Sequence, residues 1–282
     1  MGVDTLSMTL GTLPMVYESS GARLSLESHD GFGVPASTIR PVRRARAGGA
    51  IAAAAWDTER YVSLNGKIVA DTVAAATTMR DLVKSAFTLD DTTLTLVEGD
   101  VTRYLTVRRT GEFLVSPLSG HGNNMAWSGQ MVALDPRLRG DALTASTGLP
   151  ASTGGWTFPL TLPAPINAVS SSGRITLTND GNTTGKVAIR ITAGVGGITG
   201  PRVTHVASGK SLVFATSLTI AEDNWVDVDM EAHTVLENGT ASRNGWVTGR
   251  GWSGFAPGDN QWVFGAVSGL GTLSVTATPS WM

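Results

Sequence analysis

Asp227, Asp229 and Glu231 stand at i, i+2 and i+4, so on an extended strand their three carboxylates share one face. Such a row has the composition of a calcium site, which takes about six to eight oxygens, or of a glycosidase pair. The plainer reading is a solvent-facing side of the strand, with His233 extending the same face as a poor calcium ligand. The four histidines, His29, His121, His205 and His233, are scattered, and none lies in a nucleophile-elbow motif, so no hydrolase triad is expected. With no cysteine in the chain, disulfides, thiolate catalysis and most zinc sites fall away. No catalytic residue, metal or other cofactor is expected. Ala193-Gly-Val-Gly-Gly-Ile-Thr-Gly200 is glycine-rich but precedes a Pro-Arg strand instead of opening a helix, so it reads as a loop and not as a phosphate cradle.

Two groups remain with the chemistry of recognition. Five of the eight tryptophans, Trp225, Trp246, Trp252, Trp262 and Trp281, fall in the last 58 residues. Trp225 and Trp262 occupy strand positions and are expected in the core. Trp246 and Trp252 lie in the Gly-rich stretch 245–254, where exposed indoles would give a stacking platform for a saccharide. The second group is basic: Arg40, Arg43, Arg44 and Arg46 run into the glycines before Ala50. A solvated loop is one reading; the other is an arm that pairs with acidic groups on a neighbouring subunit.

Short strands must carry these groups. Thirty-four glycines and twelve prolines punctuate apolar runs at spacings of about ten residues, the pattern of a sandwich or barrel. One segment differs. Asp71 to Phe87 places Val73, Ala76, Met79, Leu82 or Val83, and Phe87 on one helical stripe, with Asp71 as expected N-cap. Before it, Glu59 to Val69 reads as a strand with a turn or bulge at Asn65-Gly66; after it, 93–97, 103–108 and 112–116 read as three strands, with Leu105 and Val107 opposed in direction to Tyr104 and Thr106. From 144 to 172 the chain is rich in Ser, Thr, Pro and Gly, with Trp156, Phe158 and Leu160 alternating as in an extended segment. Eight further short strands then make an antiparallel two-sheet sandwich the expectation, with Asn238-Gly239 as a hairpin turn.

This change of texture divides the chain at Ala133-Leu-Asp-Pro-Arg-Leu-Arg-Gly140 into expected domains 1–140 and 141–282. The first carries fourteen Lys and Arg against fourteen Asp and Glu, the second seven against nine, so neither has the basic excess of a nucleic-acid binder. No stretch of 18 apolar residues occurs, and the N-terminus lacks the charged and apolar regions of a cleaved signal, so neither membrane insertion nor export by such a signal is expected.

Taken in order, these pieces resemble the distal tail protein family of siphophages, the long non-contractile-tailed bacteriophages. In the first domain the resemblance rests on Asp30-Gly-Phe-Gly, the basic stretch to Ala50, Arg60-Tyr-Val-Ser-Leu-Asn-Gly-Lys-Ile, the helix and Arg103-Tyr-Leu-Thr-Val-Arg. In the second it rests on Thr178-Asn-Asp-Gly-Asn, Lys186-Val-Ala-Ile-Arg-Ile, Trp225-Val-Asp-Val-Asp, Glu237-Asn-Gly and Gly251-Trp-Ser-Gly-Phe-Ala-Pro-Gly-Asp-Asn-Gln-Trp. It implies a mainly β chain: a tail-tube-like β-barrel with one packed α-helix, followed by a galectin-like antiparallel β-sandwich. It further implies a non-enzymatic virion protein, a homo-hexameric ring at the tail tip. That ring would have the tail tube protein above, hub or tape-measure and receptor-binding proteins below, and DNA only in transit. The rival expectation is a carbohydrate-binding host-recognition module carried by the second domain.

Overall fold

The structure, a computed structural model, describes residues 6–19, 21–52, 54–118, 121–153 and 169–282. The chain divides into two compact units, residues 1–140 and 141–281. The first unit opens with β1 (Leu6–Leu10), β2 (Leu13–Pro14), β3 (Tyr17–Ser19) and β4 (Ala22–Asp30), followed by four short strands, β5 (Ser37–Ile39), β6 (Val42–Arg43), β7 (Ala50–Ile51) and β8 (Ala55–Asp57). Then come β9 (Arg60–Ala70), helix α1 (Val73–Ala86), β10 (Thr92–Glu98), β11 (Val101–Leu118), β12 (His121–Ala133) and β13 (Leu138–Arg139).

Its sheet is antiparallel and runs β2-β1-β10-β11-β12-β9-β4-β3. Strand β11 joins two ladders: residues 101–107 pair with β10, and Arg108 onward pairs with β12. Sequence reading divides this stretch in two at Arg109-Thr-Gly111. The structure instead keeps one strand and absorbs Gly111, at φ +67°, in a register shift between Thr110 and Leu114. Leu105 and Val107 are buried while Thr106 is exposed, as the alternation requires. Gly66 makes no turn. It lies inside the unbroken β9, because a Cβ there would meet the Ser25 carbonyl oxygen at 2.0 Å and the Trp127 ring at 2.8 Å. The irregularity falls on its partner, between Leu26 and Ser28 of β4.

Helix α1 packs over β4, β9 and β12 and buries Ala76, Met79, Val83 and the following Phe87; Val73 and Leu82, on the same expected stripe, are exposed. Its N-cap is Thr72, whose hydroxyl accepts from the Ala75 amide at 3.2 Å. Asp71, the expected cap, falls one position earlier, where its amide donates to the Gly21 carbonyl at 2.9 Å and holds it at the sheet. Phe87 enters above Gly129, where a Cβ would stand 2.3 Å from its ring, and meets Phe113 and Trp127.

The second unit contains β14 (Leu143–Gly148), β15 (Ala151–Thr153), β16 (Val169–Ser171), β17 (Arg174–Asn179), β18 (Thr183–Thr199), β19 (Arg202–His205), β20 (Ser211–Phe214) and β21 (Thr219–Ile220). It ends with β22 (Trp225–Asp229), β23 (Thr234–Glu237), β24 (Ala241–Ser242), the 3₁₀ turn Asn244–Trp246, β25 (Val247–Arg250), β26 (Gly258–Gly265) and β27 (Ser268–Trp281). One antiparallel sheet runs β24-β23-β22-β18-β27-β14; the other runs β17-β26-β19-β20-β25. Between them lies one apolar core that includes Ile189, Ile191, Phe214, Val226, Phe255, Trp262, Phe264 and Val275. The expected mainly β architecture, with one helix and a following sandwich, is therefore the observed one. Asn238 and Gly239, at φ +49° and +73°, make the hairpin turn between β23 and β24. The glycine-rich 193–200 segment belongs largely to β18, as an irregularity between Ala193 and Ile198. Trp156, Phe158 and Leu160 lie outside the described residues.

Candidate assembly surface

The four arginines picked out by the sequence lie on a two-stranded ribbon. Ser37, Thr38 and Ile39 stand opposite Asp57, Trp56 and Ala55; Val42 and Arg43 stand opposite Ile51 and Ala50; and the Arg44 amide donates to the Gly49 carbonyl at 3.3 Å. Pro41, which has no N–H to give, marks the break between the two ladders. Every described residue from Ala36 to Asp57 is exposed. That includes Ile39 at 57%, Val42 at 60%, Ile51 at 58% and Trp56 at 67%. No third strand flanks the ribbon among the described residues, and a lone pair of strands is marginally stable in water. The guanidinium groups of Arg40, Arg43, Arg44 and Arg46 have no ion pair or hydrogen bond with described residues. The ribbon is an arm, not a formless loop.

Its root is fastened by a residue that sequence reading treats only as the start of a strand. Arg60 is 2% exposed. Its Nε donates to the Pro136 carbonyl at 2.7 Å, and its Nη1 donates to the carbonyls of Gly31, at 2.7 Å, and Gly33. Among the described residues no carboxylate pairs with it and Nη2 is buried without a partner, and burial lowers its pKa. Gly31 sits at φ +100°, with the Tyr61 carbonyl oxygen 2.0 Å from where a Cβ would be, so only glycine lets the loop close on β9. The signal was present in the sequence: Arg60 shares strand parity with Val62 and Leu64, both buried. On the far side of the guanidinium, Asp135 shapes the turn that presents Pro136. Burial pushes the Asp135 carboxyl up, but hydrogen bonds from Arg137 and Arg139 outweigh it and hold the pKa at about 2.

The other candidates are distributed differently. Trp246 and Trp252 are both half-buried against the sandwich core; the Arg243 guanidinium lies 4.9 Å over the Trp246 ring, and His233 stacks on Trp252 at 4.8 Å. The exposure expected of a saccharide platform is thus reduced at both. Trp262 is buried, but Trp225 stands on the outer face with Asp227 and Asp229, under Arg190, because Val226 and Val228 take the inward parity. The three carboxylates do not converge. Asp227 is held by Arg190 at 2.6 Å and by the Trp225 indole N–H at 3.1 Å; Asp229 accepts the Glu231 and Ala232 amides; Glu231, past the strand end, pairs with Lys186 at 3.1 Å. Among the described residues no group of three or more His, Asp or Glu side chains is placed to hold a metal ion.

No family model matches the chain, and no curated protein matches it by sequence. The fold does find a match. The crystal structure of the Dit protein of phage SPP1, presented as a paradigm of the hub adsorption apparatus in phages that infect Gram-positive bacteria, gives a TM-score of 0.68. The alignment covers 99% of this chain and 100% of that one at 11% identity. The chain has the fold of a phage distal tail protein. In this Dit fold both units take part, since the match runs the length of the chain. The phage P2 baseplate in its activated conformation with Ca is a weaker likeness, with a TM-score of 0.47 at 11% identity over 99% of this chain and 98% of that one.

Proposed function

We propose that the protein is a structural subunit of the tip of a phage tail. In this reading six copies form a ring through the first unit. The ring joins the tail tube above to hub and receptor-binding proteins below and leaves a channel through which DNA passes. Its work is geometric and not catalytic. The observation that carries the reading is the end-to-end Dit fold, helix-bearing sheet first and sandwich second. Two features of the chain agree with it. The first unit carries fourteen cations and fourteen carboxylates, so it has no net basic excess, as suits a conduit that must not retain DNA. It also extends an arm with apolar and cationic side chains that its own described residues leave uncovered, and a ring of like subunits covers such surfaces by closure.

Light scattering on the purified protein, followed by negative-stain images of the same fraction, tests the proposal. A species of six times 29.3 kDa with a central hole is the expected result. A strict monomer at the highest soluble concentration, still monomeric when mixed with tail tube protein, would overturn it.

A further inference from the structure

We infer that the outer face of the sheet β24-β23-β22-β18-β27-β14 carries a binding site for a short neutral saccharide, with Ala188 as its floor and the Arg190–Asp227 pair as its main hydrogen-bonding group. The inference stands apart from the ring reading, and it uses other residues than Trp246 and Trp252. Three observations lead to it.

The first is shape. Strand parity sends Val187, Ile189 and Ile191 into the core and turns Ala188 and Arg190 outward. Ala188 has only a methyl group where its partners in register, Asp229 on β22 and Thr276 on β27, have longer side chains. The result is a depression of about 560 Å³, bordered on the β23 side by Thr234 and Leu236. That volume lies within the roughly 300–1,000 Å³ of small-molecule sites.

The second is the donor set. Arg190 Nε and Nη2 donate to the two oxygens of Asp227 at 2.6 and 3.1 Å, and the Trp225 indole N–H donates to the same carboxylate at 3.1 Å. The guanidinium also lies 5.5 Å over the Trp225 ring. It is thereby held in place, while its Nη1 makes no hydrogen bond with described residues. A fixed donor beside a fixed carboxylate suits a ligand hydroxyl, which accepts from the one and donates to the other. Ser274 and Thr276 add hydroxyls on the β27 side, and Ala188 and Leu236 add apolar surface on which the C–H groups of a sugar ring can rest.

The third is charge. Asp227 is neutralised by Arg190, and Asp229 uses Oδ1 to accept the Glu231 and Ala232 amides. Lys186, the next outward residue of β18 beyond Ala188, is paired with Glu231 at 3.1 Å. The depression therefore lacks the uncompensated cation that would draw a phosphate, and its two carboxylates fall short of the about six to eight oxygens of a calcium site. A neutral ligand rich in hydroxyl groups matches it.

The test uses the full chain, isotope-labelled, and follows the Trp225 indole N–H by NMR, because that group reports on Asp227. Titration with glucose, galactose, N-acetylglucosamine and rhamnose is expected to shift this resonance saturably with at least one sugar, and inorganic phosphate to leave it unmoved. Ala188→Leu fills the depression from a solvent-facing position and is expected to abolish the response with the melting transition unmoved. Arg190→Met is expected to weaken affinity by about tenfold or more. The absence of a saturable shift with any of these sugars would overturn the inference, as would a shift that survives Ala188→Leu unchanged or one that phosphate produces more strongly. Sugar-induced shifts confined to the Trp246 and Trp252 indoles would move the site there and overturn it likewise. All of these are read on single chains as well as on rings, so their failure leaves the ring reading standing.

Discussion

Replacing Arg60 by Met removes the one buried cation that fastens the arm's root while keeping most of its apolar stem. Hydrogen bonds from a charged donor contribute about 1.5–3 kcal/mol each, and Arg60 makes three. Against that gross gain stand several kcal/mol of guanidinium desolvation and about 1–3 kcal/mol for the unpartnered Nη2. The carbonyls left behind at Gly31, Gly33 and Pro136 lie in two partly exposed loops, where water replaces some of the lost donors. The net loss should therefore be about 2–3 kcal/mol, which for a unit of this size is a fall in Tm of roughly 6–15 °C. Scanning calorimetry is the assay, since a chain of two compact units can show two transitions and only the one belonging to the first unit should move. Hydrogen exchange at residues 31–36 should rise with it. Arg60→Lys should recover little, because an ammonium is a point donor and cannot span carbonyls on two sides as the guanidinium fork does. A variant within about 0.5 kcal/mol of wild type, or full recovery by lysine, would refute the anchoring argument.

Other consequences can be measured on the same instruments. Gly66→Ala should cost about 3 kcal/mol or more, because the new methyl collides with the Ser25 carbonyl and the Trp127 ring and neither can retreat; a Tm unchanged within error would show that the sheet is more compliant than its packing. Asp135 has a folded pKa of about 2, below its ordinary value, so its contribution is fully present above about pH 4 and lost as pH falls toward 2. Discounted for its exposed third, that contribution is about 1 kcal/mol, and Asp135→Asn should remove it at pH 7 while matching wild type at pH 2. His205 is the opposite chemical case with the same direction. Burial lowers its pKa, so the unfolded chain takes up the proton first, and the second unit should lose stability as pH drops below about 6.5. His205→Asn should flatten that slope in urea titrations; an unchanged slope would place the proton elsewhere.

Much of the fold was legible because it depends on side-chain period and turn chemistry, which are local. Leu105 and Val107 had to face away from Thr106 whatever lay around them, and Asn238-Gly239 accepts the positive φ that a tight hairpin needs. The helix was visible as the one segment with a 3.6-residue stripe. Its N-cap was misplaced by one residue because Asp71 is held at the sheet by Gly21, fifty positions away along the chain, which no local pattern registers. Trp225 was assigned inward on its place in a strand, although its parity with Asp227 and Asp229 already pointed outward.

By itself, then, the sequence determined the strands, the helix, the absence of cysteine chemistry and the basic stretch at 40–46, since each follows from composition and near neighbours. Only the tertiary structure decided which of these would be covered. Burial is a property of partners distant along the chain: it placed Arg60 among three carbonyls of Gly31, Gly33 and Pro136, put Gly66 under the Trp127 ring, set Arg243 and His233 against Trp246 and Trp252, and left the arm with its apolar and cationic side chains in solvent.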